Sequence, residues 1–174
     1  MLKSIAVSLL VSLFSCAALA ADDEGRFIKD QNGCKVVNPN PRAEETITWT
    51  GPCGADGFTE GSGVLQWFQS GVADEKYEGE MLHGFAEGTG VQTMIDGGRY
   101  EGQFKESRQH GEGTFYAPDG SIFNGTWKDG KPNGPGVYRT PEGKVLRGEW
   151  ENGNFKGGEG GEDGEDTEAD PNRT

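Results

Sequence analysis

Two histidines, His83 and His110, are the only imidazole side chains in this 174-residue sequence. Imidazole is the commonest general base in enzymes, and serine-type catalysis would place a hydroxyl and a carboxylate beside it. The serines that could serve, Ser62, Ser70 and Ser121, occupy unrelated positions with respect to the repeat of the chain. The residues therefore indicate no catalytic set, and we predict a protein that is not an enzyme.

The thiols offer a second kind of chemistry. Two cysteines alone do not complete a zinc shell, and neither histidine lies near Cys34 or Cys53 in the sequence. In an exported chain, an even pair of cysteines more often forms a disulfide than stays free. We predict a Cys34–Cys53 disulfide, and we expect no metal centre and no cofactor.

The first twenty residues have the features of a signal peptide. Lys3 supplies the positive start, an apolar stretch follows, and Ala18-Leu19-Ala20 is typical of a cleavage site. We therefore predict an exported protein, periplasmic or secreted, with residues 1–20 removed. The alternative is a lipoprotein anchored at Cys16, although Phe14 fits that motif poorly.

Acidic residues dominate the charge of the chain, which is −13 at pH 7. Residues 159–170 hold seven acidic side chains and no basic one, so we predict that residues 159–174 form a disordered acidic tail. Nucleic acid requires a basic face, and anionic headgroups repel an acidic body. We expect no nucleic-acid binding, and membrane binding is disfavoured but left open.

A 23-residue period runs through most of the chain. Copies begin at Tyr77, Tyr100 and Phe123, and a truncated copy begins at Leu146. Counting the first residue as zero, glycine recurs at +2, +11, +13 and +20, and a large side chain at +4: Met81, Phe104, Trp127 and Trp150. A divergent copy with one extra residue covers 49–76.

The pattern Y-x-G-x-W, a glycine turn and H-G-x-G resembles the MORN (membrane occupation and recognition nexus) repeat. The resemblance covers residues 49–158. It departs from the family where Met81 replaces the aromatic, where "KESRQ" lacks the turn glycine, and where the family's histidine occurs only as His110. The resemblance implies roles in protein–protein contact, oligomer assembly or membrane association.

The repeat unit has the alternation of a β-strand. Tyr77, Gly79 and Met81 alternate with Glu78 and Glu80, and glycines at the turns can adopt positive φ. We predict an all-β fold: an elongated single-layer antiparallel sheet of stacked 23-residue β-hairpin repeats. Residues 21–48 are predicted to cap its first edge.

The aromatic residues of the repeat admit two interpretations, a core and an interaction stripe. As a core, rings at +0, +4 and +15 would cover a floor of glycines at +2, +11 and +13. The residues concerned are Tyr77, Tyr100, Phe104, Phe115, Phe123, Trp127, Tyr138 and Trp150.

We therefore expect a non-enzymatic exported repeat protein that acts as a protein-interaction or structural scaffold. Its partner is an unknown protein, with self-association as one form. The alternatives are a hydrolase or glycan-active enzyme built on the same sheet, and membrane-surface association through the repeats. The fold does not choose among these functions.

Overall fold

The structure is a computed structural model that describes residues 26–162, and every regular element among them is a β-strand. Residues 1–25 and 163–174, which include the predicted signal peptide and most of the predicted tail, lie outside the described residues. Twelve strands follow one another along the chain: β1 (Phe27–Lys29), β2 (Lys35–Val37), β3 (Glu45–Trp49), β4 (Gly61–Gln69), β5 (Val72–Leu82), β6 (Phe85–Thr93), β7 (Arg99–Lys105), β8 (Arg108–Tyr116), β9 (Ile122–Lys128), β10 (Lys131–Arg139), β11 (Lys144–Glu151) and β12 (Asn154–Glu162).

Strands β3 to β12 form one open sheet in which each strand pairs antiparallel with the next along the chain. Strands β1 and β2 form a separate two-stranded sheet at its first edge. Because the ten-stranded sheet does not close on itself, β3 and β12 are its edges. The predicted architecture of consecutive hairpins is confirmed.

The tight turns inside the hairpins explain the regular spacing. Asp129 and Gly130 both have positive φ (50° and 81°), which is typical of the two-residue turns that join antiparallel strands. Glu106 and Ser107 also have positive φ (48° and 61°), although neither is a glycine. The Ser107 hydroxyl accepts a hydrogen bond from Ala86 N–H, and Ser107 N–H donates to Ala86 O, both at 3.0 Å. These bonds to the preceding hairpin stabilise the turn that lacks the repeat's glycine.

A row of directly paired glycines crosses the sheet, one on each strand from β4 to β12. Each member lies opposite the next in the antiparallel register, and we call this set the glycine row: Gly63, Gly79, Gly90, Gly102, Gly113, Gly125, Gly136, Gly148 and Gly158. Its members in the regular copies are the +2 and +13 glycines of the repeat. The sheet therefore has a continuous strip of bare backbone.

The +11 glycines do not belong to this floor, which corrects the sequence-based expectation. Gly88, Gly111 and Gly134 have positive φ (66°, 61° and 117°), and the strand register shifts beside each of them. A Cβ at Gly88 would meet Glu80 rather than an aromatic ring. These glycines are needed for a bulge in the backbone, because other residues rarely adopt that conformation.

The boundaries of the sheet also differ from those expected. Strand β3 lies mostly within the predicted cap, yet it pairs with β4, with Trp49 opposite Leu65. At the other end β12 extends into the predicted tail, where Glu159 lies opposite Arg147 and Glu162 opposite Lys144. Backbone pairing needs no apolar side chain, so an acidic, glycine-rich segment can still form a strand.

The first edge of the sheet is tied to the cap by a disulfide between Cys34 and Cys53, whose Cα atoms are 5.7 Å apart. The backbone adds further links: Lys35 N–H donates to Gly57 O (2.8 Å), and Val37 N–H donates to Gly84 O (3.0 Å). The cap is therefore held against both the loop after β3 and the turn between β5 and β6.

Candidate binding site on the aromatic face

Aromatic rings lie directly on the glycine row. A Cβ added at Gly90 would lie 2.6 Å from Cε2 of Tyr77, and one added at Gly136 would lie 2.7 Å from Cε2 of Phe123. These distances are too short for any real side chain, so the rings occupy the space that a side chain would need. Tyr100 covers Gly113 in the same way. The aromatic rings at position +0 of the repeat thus pack directly on the glycine row.

Rings at +0 and +4 contact one another edge to face along the sheet. The centroid distances are 5.0 Å for Tyr77–Phe104, 5.1 Å for Phe104–Tyr100 and 5.1 Å for Tyr100–Trp127. The series continues at 5.3 Å for Trp127–Phe123 and 5.0 Å for Phe123–Trp150. We call this series, together with Phe155, which packs against Trp150 at 5.3 Å, the ring chain. Such contacts stabilise a pair by about 0.5–1.5 kcal/mol beyond burial of area.

Exposure changes along the ring chain. Tyr100 is fully buried, and Phe104 and Trp127 are 5% and 6% exposed. Towards the last strands the rings are less covered, because Trp150 is half-buried and Phe155, which contacts it, is 36% exposed. The +15 residues Phe115 and Tyr138 are also only half-buried. The face is therefore a core in its middle and an accessible aromatic surface at its end.

The polar atoms of the rings differ in whether they have a hydrogen-bond partner. The Tyr77 hydroxyl donates to Glu80 O (2.9 Å), and the Tyr100 hydroxyl donates to Gln103 O (3.0 Å). Burial raises the pKa of Tyr100 to about 12 and raises the pKa of Tyr77 as well. By contrast, the buried Nε1–H of Trp150 has no hydrogen-bond partner among residues 26–162. Because this atom is buried, the unpaired donor is a local cost of the fold and not an accessible binding group.

A cleft of about 550 Å³ lies where the cap segment 36–42 passes over the same face. Its apolar part is formed by the cap, by the first rings of the ring chain and by neighbouring aliphatic side chains: Val36, Leu65, Tyr77, Met81, Ala86 and Phe104. Ile95, 73% exposed, also lines it. The volume is in the range of small-molecule and side-chain pockets, about 300–1,000 Å³.

Charged groups line one side of this cleft. The Arg42 guanidinium contacts Asp74 at 2.5 Å and Glu45 at 2.9 Å, and these carboxylates hold the pKa of Arg42 above its ordinary value. The side chains of Glu45 and Asp74 are only 5% and 7% exposed. Glu75 accepts a hydrogen bond from Gln92 on the same wall. The cleft therefore combines an apolar floor with an acidic side.

A separate group of ligand-type side chains lies where the tip of the loop after β3 meets the turn between β5 and β6. Atoms of Asp56, Glu60 and His83 lie within 4.8 Å of one another, and His83 Nδ1 is 2.8 Å from an Asp56 carboxylate oxygen. A hydrogen bond from Phe58 N–H, and then the bond with His83, hold the pKa of Asp56 below its usual range. Carboxylate and imidazole together could hold a divalent cation. Asp56 and Glu60 belong to the divergent copy and His83 to the next one, so no position of the repeat groups them in the sequence.

The predicted stripe residues are thus brought together on one face, whereas His83 and His110 are not. His83 pairs with Asp56 at the loop tip, and His110 lies on β8 with its Nδ1 lacking a partner among the described residues. The residues that sequence reasoning missed are those of the cleft, above all Arg42, Asp74 and Glu75. Their signal is a cluster of charges outside the repeat's regular positions.

An open sheet of consecutive hairpins with one glycine-floored aromatic face defines a β-repeat protein of the solenoid kind. The MORN repeat family matches this chain at residues 55–72, 77–99, 100–122 and 123–145, which together make up half of it. The chain therefore belongs to the MORN-repeat family. No curated protein matches it. Within residues 26–162 there is no helix with the length and apolar character needed to cross a membrane.

Proposed function

We propose that this chain is an exported, non-enzymatic scaffold that binds a protein partner along its aromatic face. The observation that carries the proposal is the ring chain, which is buried at Tyr100 and emerges at Phe155 without leaving the face. An accessible aromatic surface that continues a rigid core is pre-organised for binding, because few side chains must be ordered. Aromatic residues are also enriched at protein interfaces.

A binding role agrees with the family, since MORN-repeat proteins generally bind rather than catalyse. The charge of −13 favours a protein partner over nucleic acid or an anionic membrane surface. Export is supported by the signal-like segment 1–20 and is compatible with the Cys34–Cys53 bond, because disulfides persist in oxidising compartments.

The experiment compares capture of proteins by three immobilised forms of the full chain from the exported fraction of its native cells. Phe155→Lys places a charge on the accessible end of the ring chain. Leu82→Lys is the matched control, because Leu82 is 46% exposed and alternates with the inward-facing Tyr77 and Met81 on β5. We expect the wild type and Leu82→Lys to retain the same partner, and Phe155→Lys to bind it about tenfold more weakly.

Two results would contradict the proposal. If the wild type retains no protein and sedimentation shows no self-association, the chain is not an interaction scaffold. If a partner binds both variants equally well, the binding surface is not the accessible end of the aromatic face.

A further inference from the structure

We propose that the cleft beneath the cap binds a segment of the partner protein that combines apolar side chains with lysine or arginine. This inference rests on the proposed function, and it adds the chemistry of the partner and the place where the partner enters. One wall of the cleft is the cap segment 36–42 and not a repeat, so the repeat alone does not form it.

The apolar part of the segment is inferred from the floor. Leu65, Met81, Ala86 and the rings of Tyr77 and Phe104 face a space of about 550 Å³, which is large enough for more than one side chain. The floor side chains are already only 3–7% exposed, so the apolar area that an occupant newly covers lies on the rim of the cleft, as at Ile95, which is 73% exposed. Burial of apolar area is the general driving force of such association.

The basic part is inferred from the charges. Among the described residues that line the cleft, one is basic (Arg42) and three are acidic (Glu45, Asp74 and Glu75), so its charge is −2. Glu45 and Asp74 are almost buried, and attraction between charges is stronger where water is partly excluded. Arg42 neutralises part of this charge, and a cation on the partner would neutralise the rest.

A peptide is favoured over other cations by the amide groups on the walls. Asn38, Asn40 and Gln92 line the cleft, and side-chain amides both donate and accept hydrogen bonds, as a peptide backbone does. The chain's own C-terminal segment is a poor occupant. Residues 163–174 contain five acidic side chains and one basic, so the acidic side would repel them.

The test uses two fluorescently labelled hexapeptide amides and the full chain. One probe has two leucines flanked by lysines, and the other has glutamates in place of the lysines. We expect the lysine probe to bind at least about tenfold more tightly, and its affinity to fall as salt is added.

Three variants locate the binding. Ile95→Lys removes apolar contact and adds a repelling charge at an exposed position. It should lower the affinity for the lysine probe about tenfold or more. Glu75→Gln keeps an acceptor for Gln92 but removes a negative charge. It should lower the affinity for the lysine probe by about threefold to tenfold. Leu82→Lys, on the opposite face, should leave binding unchanged. Circular dichroism spectra and melting curves of each variant check that the fold is retained.

The proposal is overturned if the two probes bind equally, if the lysine probe does not bind at about 1 mM, or if Leu82→Lys weakens it as much as Ile95→Lys does. Its failure can be told from failure of the scaffold function. If a captured partner binds Ile95→Lys as well as the wild type, the scaffold function is supported and the cleft proposal fails. If the lysine probe binds in the cleft but no partner is captured, the cleft proposal is supported and the scaffold function fails.

Discussion

The indole Nε1–H of Trp127 donates a hydrogen bond to the carbonyl oxygen of Gly113 on the neighbouring strand, at 3.1 Å. The same indole ring contacts Tyr100 and Phe123 edge to face. Trp127 is therefore fixed by its polar atom and by its ring, in the middle of the ring chain.

Replacing Trp127 with alanine should lower the free energy of unfolding by about 3–5 kcal/mol, the usual range for a buried aromatic residue. Trp127→Phe keeps a ring but loses the bond to Gly113, so it should cost less. Urea unfolding followed by circular dichroism measures both. A Trp127→Ala protein as stable as the wild type would mean that this ring is not part of the core.

Gly113→Ala should destabilise the sheet by about 1–3 kcal/mol through overpacking. The new Cβ would lie 2.6 Å from Cε2 of Tyr100, so either the ring or the strand must move. Thr114→Ala, the next residue on the opposite face of β8, is the control and should cost less. Equal melting temperatures for the two variants would show that the ring does not rest on the glycine row.

Removing the disulfide tests the cap. Cys53→Ser, made together with Cys34→Ser to avoid a free thiol, should lower stability by about 2–5 kcal/mol. Thermal unfolding of the oxidised wild type against the double variant gives the value, and reduction of the wild type should reproduce it. The cap is not held by this bond if alkylation finds two free thiols in the native oxidised protein.

Alkaline pH should unfold the protein through its buried tyrosines. The pKa of Tyr100 is raised to about 12 from about 10 in an unfolded chain, so the folded state favours the neutral phenol. This contribution to stability is fully present below about pH 10 and is lost as the pH rises towards about 12.

An absorbance titration of tyrosinate, followed alongside circular dichroism, measures this loss, and Tyr100→Phe should remove one late-titrating group. Phe123 already occupies the equivalent place without a hydroxyl, so the variant should fold. Ionisation of every tyrosine near pH 10 in a still-folded protein would contradict the prediction.

The repeat made the fold predictable, because a fixed 23-residue period with alternating large and small residues leaves one strand register that keeps every ring on one face. The pairing of Gly79 with Gly90 follows from that register. The role of Gly88 did not follow, since a glycine that leaves room for a ring and a glycine that takes positive φ look the same in a sequence.

The cleft could not be predicted either. Its acidic side depends on Arg42, in the cap, meeting Asp74, 32 residues later on β5. Neither residue has a counterpart in the regular copies, so no period relates them. The same holds for Asp56 and His83, which approach because the loop after β3 follows its own path.

Because the register of the glycine row is uniform, the length of the sheet is proportional to the number of repeat units. One 23-residue unit adds two strands, and at roughly 4.8 Å per strand it lengthens the sheet by about 10 Å. The cleft lies near the first strands and Phe155 lies on the last, so the number of units sets the distance between them. A partner that reached both would measure that distance. Gain or loss of a whole unit would change which partner fits while leaving every local contact intact.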